Sequence, residues 1–151
     1  MMDLQTYLDS MVKAARADTF ASSDQLSLGE IVSQCEAIQA KDYRRSDNSE
    51  PTVGFDFEYA HPTGIDSWRG VYAELALSFD FGGKEMSLSA FIEMCRSAIG
   101  QTFTGYKGGD YEMSRHTPVW VANYGNSGNT AVVGVLDLGY SVILLTGYRE
   151  V

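Results

Sequence analysis

Two stretches of alternation constrain this chain more than anything else in it. Val53, Phe55, Phe57 and Tyr59 alternate with Gly54, Asp56 and Glu58. Further on, Val71, Ala73, Leu75, Leu77, Phe79 and Phe81 take one face of a longer run, and Tyr72, Glu74, Ala76, Ser78 and Asp80 take the other. A period of two sends successive side chains to opposite faces of a strand. Half-buried strands of this kind need a sheet with an apolar layer packed on its inner face. His61-Pro62-Thr63-Gly64-Ile65-Asp66-Ser67, between the runs, has turn chemistry. Two strands joined by a loop of that length predict an antiparallel pair.

The covering layer is also legible. Residues 3 to 17 carry Leu4, Tyr7, Leu8, Met11, Val12 and Ala15 at helical spacing, with Asp3 at the start. A second helix is expected from Ser27, where Ser27 and Glu30 form a capping box and Leu26 and Ile31 a hydrophobic staple. It carries Leu28, Ile31, Cys35 and Ile38 and ends near Lys41. A third starts at Ser87 and presents Leu88, Phe91, Ile92, Cys95, Ala98 and Ile99, with Gly100 as the residue that stops it. The second and third helices share Ser-Leu at the start and a Cys eight residues after the Ser.

Beyond Gly100 the chain reads as strands. Residues 110 to 114 and 118 to 124 suggest a pair around Arg115-His116-Thr117. Thr130 to Leu136 and Ser141 to Tyr148 suggest a hairpin buried on both faces. The expectation is one α+β domain over residues 1–151. It has a helical N-terminal part over 1–50 and a β-rich part over 52–151 containing the helix over 88–99. Its core is an antiparallel sheet of five or six strands, with about three helices packed mainly on one face.

The net charge of −9 argues against a duplex-DNA or anionic-membrane binder, since phosphate contacts need a basic face. No stretch reaches the apolar length of a span. Met1 to Gln5 lacks the basic start and apolar run of a secretory signal, so an intracellular setting is expected. Cys35 and Cys95 fall on apolar helix positions, as buried free thiols do. No His, Cys or carboxylate group has metal-ligand spacing.

Candidate chemistry gathers in a few places. Gly105-Tyr106-Lys107-Gly108-Gly109 can aim backbone N–H groups and one ammonium at an anion, or can be a plain glycine turn. It lacks the spacing of a P-loop. Trp68-Arg69-Gly70 offers a stacking plane and a guanidinium, or a core ring and a surface ion pair. Trp120, Tyr124, Tyr106 and Tyr111 add rings, of which periodicity puts half in the core. His61-Pro62-Thr63 matches one H-x-T element of two-histidine phosphoesterases. His116-Thr117-Pro118 fails as the second, because its hydroxyl stands at the wrong spacing.

Three longer signatures carry a resemblance. They are Ser67-Trp68-Arg69-Gly70 with Tyr72 and Glu74-Leu75-Ala76-Leu77; Ala98-Ile99-Gly100 with Thr102-Phe103 and Gly105-Tyr106-Lys107-Gly108-Gly109; and Thr117-Pro118-Val119-Trp120-Val121-Ala122-Asn123-Tyr124-Gly125. Over about residues 52 to 136 the chain resembles a group of small tailed-phage proteins. It is similar in turn to phage proteins of the anti-Thoeris or anti-CBASS kind, which counter bacterial immunity by sequestering nucleotide second messengers. The resemblance implies a non-enzymatic, oligomeric binder in the host cytoplasm, holding a cyclic dinucleotide or an ADP-ribose derivative. Residue chemistry then supplies the candidate site. Trp68, Tyr106 and Trp120 stack, Arg69, Lys107 and Arg115 bring charge, and Asn123 selects polar groups, with no cofactor, metal or catalytic residue. Two other readings stand beside it. One is a phosphodiesterase-type enzyme using His61 and His116 as acid and base. The other is a protein-binding inhibitor whose acidic surface occupies a host nucleic-acid-binding protein.

Overall fold

In the computed structural model of the chain the described residues are 10, 11, 13, 25–68, 74–104, 109–122 and 129–149. They form two helices, α1 (Leu28–Gln39) and α2 (Leu88–Ala98). Nine strands accompany them: β1 (Thr52–Phe55), β2 (His61–Ser67), β3 (Leu75–Asp80), β4 (Met86–Ser87), β5 (Thr102–Thr104), β6 (Asp110–Glu112), β7 (Val119–Val121), β8 (Thr130–Asp137) and β9 (Ser141–Tyr148).

Both helices start where their caps predict. The Ser27 hydroxyl accepts from the Glu30 amide at 3.2 Å, and the Glu30 carboxylate accepts from the Ser27 amide at 3.0 Å. Ser87 accepts from the Ala90 amide at 3.2 Å. Gly100 stands just past α2 at φ 82, a left-handed position that glycine adopts without a Cβ penalty. Of the helix expected over 3–17, Ser10, Met11 and Lys13 are helical and exposed; the remainder lies outside the described residues.

Seven strands make one sheet in the order β2-β3-β7-β8-β9-β1-β4, and β5 and β6 form a separate antiparallel pair. Two neighbours are parallel: β1 on β9, with Thr52 opposite Ser141 and Phe55 opposite Leu144, and β3 on β7, with Leu75 opposite Val119. The expected all-antiparallel sheet of five or six strands under three helices is thus corrected to a seven-stranded mixed sheet and two described helices. The parallel β3–β7 pair is possible because β4, α2 and the β5–β6 hairpin intervene, a crossover long enough to return the chain to the same end. The β1–β9 register is pinned by Asp56, whose carboxylate accepts from the Thr146 amide at 2.9 Å and its hydroxyl at 2.6 Å.

Two local expectations also change. Residues 61–67, read as a turn, are β2. Pro62 and Gly64 are tolerated there because β2 is an edge strand with a bulge between them. The segments 110–114 and 118–124, read as partners, separate: β6 pairs with β5 and β7 joins the main sheet. The β8–β9 hairpin is buried on both faces as its β-branched run suggests, with Val132, Val142 and Leu144 in one core and Ala131, Val133 and Leu145 in another.

The larger core lies between the sheet and both helices. Leu28, Ile31, Cys35, Leu88, Phe91 and Cys95 meet Val53, Leu75, Leu77, Val119 and Val132. The sheet curls around it. Strands β1 and β3 are four places apart in the order, ~19 Å in a flat sheet at ~4.8 Å per strand. Yet the rings of Phe55 and Phe79 are 6.3 Å apart. No helix among the described residues is long and apolar enough to cross a membrane.

Candidate functional site

Strands β2, β3 and β7 bring two of the predicted site residues together. Trp68, just past β2, and Trp120, in β7, stack with ring centroids 4.1 Å apart and planes 6° from parallel. Room for the indoles comes from small neighbours: Trp120 stands in register with Ala76 of β3 and Ala131 of β8. The Glu74 carboxylate accepts from the Trp120 indole N–H at 2.8 Å, and the Glu74 carbonyl accepts from the Trp68 amide at 2.7 Å. Both rings are buried, at 2% and 4% exposure. Rings already in contact leave no gap for a base between them, and such a pair contributes about 0.5–1.5 kcal/mol beyond its buried area. The stack therefore supports the sheet face opposite the helices.

Arg115 lies elsewhere, at the start of α1. Its carbonyl accepts from the Gly29 amide at 2.8 Å, and its guanidinium reaches the Ser33 hydroxyl at 3.3 Å. With the Thr117 carbonyl accepting from Leu28 at 2.8 Å, the first-turn N–H groups of α1 are satisfied by protein. Arg69, Tyr106, Lys107 and Asn123 lie outside the described residues.

The two histidines are far apart. His61 is level with Asp80 on β3, whereas Leu75 is level with Val119. Five strand steps, ~17 Å at about 3.4 Å each, separate those levels, and His116 precedes Val119 beyond the nearer one. Acid and base in a shared cleft are not what this spacing provides. The thiols are also out of reach. Burial, then the charge of Glu36, pushes Cys35 up to about 12, and burial with the neighbouring Cys35 raises Cys95 further. Among the described residues no three His, Cys, Asp or Glu side chains are grouped to hold a metal ion.

A cleft between the end of α1 and the start of α2, lined by Ile38, Tyr43, Arg44, Glu50 and Leu88, measures about 50 Å³. A nucleotide needs several times that volume. The Glu50 carboxylate already occupies the anion position there, accepting from the Ser89 amide at 2.6 Å.

The opposite end of β2 has features that alternation conceals. Period two assigns Tyr59 and Phe81 to the apolar face, yet they are 74% and 53% exposed. The strand pattern breaks at Phe57, where the chain makes a tight turn: the Ala60 amide donates to the Phe57 carbonyl at 2.9 Å. Its central residues, Glu58 and Tyr59, have φ 45 and 56. Asn-Gly is the relaxed choice for such a turn. A side chain held in the left-handed region costs on the order of 1–3 kcal/mol. Next to it His61, 5% exposed, places Nε2 2.5 Å from the Gly82 carbonyl, so that nitrogen carries the proton; Nδ1 is buried and has no hydrogen-bond partner among the described residues. No protein-family model matches the chain, and neither a curated protein nor a solved structure matches it.

Proposed function

We propose that the chain is a non-enzymatic binding protein that captures a small nucleotide-derived signalling molecule, in the manner of the phage counter-defence proteins its motifs resemble. One observation supports this most. Trp68 and Trp120, from two widely separated stretches of the resemblance, meet ring on ring. Arg69 follows Trp68 directly in the chain and Asn123 follows Trp120 by three residues, so both polar candidates adjoin the stacked rings in sequence. The indole pair is the rigid support. Stacking on the ligand then falls to Tyr106, charge to Arg69 and Lys107, and polar selection to Asn123.

Binding is favoured over turnover because Glu74 and Asp56 are engaged and the two histidines are separated. Glu74 holds an indole, Asp56 holds Thr146, and the histidines stand at different levels of β3.

The test is mass spectrometry of small molecules released by heating the purified chain, with thermal shifts for cyclic dinucleotides and ADP-ribose derivatives. A ligand at a hundredfold its Kd stabilises the folded state by about 2.7 kcal/mol. Arg69→Ala and Lys107→Ala should weaken binding while unfolding stays cooperative. Recovery of intact nucleotide supports sequestration. Recovery of cleaved nucleotide favours the enzyme, and no stabilisation by any of them removes the reading.

A further inference from the structure

We infer that Tyr59, Phe81 and the carboxylates flanking them form a docking surface for a basic, arginine-bearing segment of another protein. The surface lies at the His61 end of β2, away from the Trp68–Trp120 stack at its other end, and stands or falls independently of nucleotide capture.

An aromatic ladder runs from the core to this surface. Phe55 and Phe57 are buried and stacked at 5.1 Å, Phe57 meets Phe79 at 5.3 Å, and Phe79 meets Phe81 at 5.4 Å. Phe81 ends the ladder in solvent. Tyr59 stands two residues before His61, whose register partner Asp80 immediately precedes Phe81, so both rings belong to the same end of the β2–β3 pair. The rigid ladder holds Phe81 from behind, and the Gly82 carbonyl is tied to His61. Cβ positions at Gly82 and Gly83 would meet nothing within 4 Å, so approach from that side is open.

Three departures from ordinary folding rules meet here: two left-handed side chains in one turn, a buried imidazole nitrogen with no partner among the described residues, and two large exposed rings. Departures that the rest of the fold sustains concentrate at functional sites.

Charge selects the occupant. Over residues 57–61 and 79–83 the chain carries Glu58 and Asp80 and no Lys or Arg; one Asp80 oxygen accepts from the Phe81 amide at 2.7 Å, while Glu85 further on is turned to the Thr52 hydroxyl at 2.6 Å. Carboxylates beside exposed rings suit arginine, whose guanidinium stacks on an aromatic face while it donates to a carboxylate. A second copy of a chain at −9 would bring like charge to the patch, and nucleic acid would be repelled.

The test uses the full chain with labelled hexa-arginine, hexa-lysine and hexa-glutamate peptides, read by fluorescence anisotropy and by amide chemical shifts. Hexa-arginine should bind more tightly than hexa-lysine, hexa-glutamate should not bind, and the shifts should fall within 57–61 and 79–83. Tyr59→Ala with Phe81→Ala should weaken hexa-arginine by about tenfold, as loss of two cation–π contacts implies. Glu93→Gln with Glu112→Gln, remote carboxylates, should leave it within twofold. Loss of the Phe79–Phe81 ring contact should lower the melting temperature of the variant slightly while unfolding stays cooperative, and the shift map needs no variant at all. Absence of hexa-arginine binding, equal affinity for hexa-lysine, equal loss in the remote variant, or shifts elsewhere would overturn the inference. So would a dimer in sedimentation that Phe81→Ala dissolves, since a second copy would then occupy the patch.

Discussion

Gly29 shows how much a single hydrogen can carry. A Cβ there would lie 2.9 Å from both the Cβ and the carbonyl oxygen of Arg115. In an open helix, alanine is preferred to glycine by about 1 kcal/mol. Here the clash with a fixed carbonyl opposes that gain, and overpacking typically costs about 1–3 kcal/mol. Gly29→Ala should therefore lower the stability measured by urea unfolding; a rise would mean that α1 does not press on the Arg115 turn. In the sequence Arg115 was visible only as a cation, because a carbonyl that caps another segment leaves no mark on residue type. Trp68 and Trp120 were visible as rings, and periodicity could not say that each would be the other's partner. Tyr59 and Phe81 fall on the apolar face by alternation yet stand in water, because alternation reports a face and not where a strand stops.

The helices were the most legible elements, because caps act through neighbours in sequence. Ser27 and Glu30 exchange the two bonds their spacing requires, and Ser87 closes the first turn of α2. Ser27→Ala and Ser87→Ala should each lower stability by about 1 kcal/mol, the usual loss for a capping hydroxyl. Thermal denaturation checks this, and an unchanged midpoint would mean that the sheet contacts of Leu26 and Met86 fix these termini without the cap. Strand β2 was the least legible element. Pro62, Gly64 and Asp66 are turn residues by composition, and only an edge position makes them strand residues. Alternation marks β1 and β3 as strands, but the antiparallel pair expected between them does not form: β1 lies between β9 and β4 and β3 between β2 and β7, since pairing across a sheet is a property of two segments and a connection, not of either segment.

At the scale of the whole molecule, the two helices close over the sheet with a thiol from each at their interior, Cys35 at 0% and Cys95 at 1% exposure. Burial keeps both protonated in the folded chain, while an unfolded thiol ionises near 9.0. Below about pH 9 both states are protonated and the contribution to stability is complete. Above it the unfolded chain releases protons that the folded chain retains, so stability falls by about 1.4 kcal/mol per pH unit for each thiol, up to the raised folded value. Urea midpoints from pH 8 to pH 10.5 should show this alkaline decline. Cys35→Ala should reduce its slope by one proton's worth while lowering stability at pH 8 for loss of buried volume. An unaltered slope would place that thiol in contact with water.

By itself, the sequence determined what is local and periodic: two capped helices with apolar stripes, the doubly buried β8–β9 hairpin, and rings and cations gathered in a few motifs. Tertiary structure decided what depends on meeting across the chain. It set the parallel pairs, made β2 an edge, and curled the sheet until Phe55 met Phe79. It also turned Trp68 and Trp120 toward each other and left Tyr59 and Phe81 in water. The physical reason is the same throughout. Caps and periodicity are interactions over three or four residues, whereas register, curvature and exposure are set by contacts between segments whose separation in sequence says nothing of their distance in space.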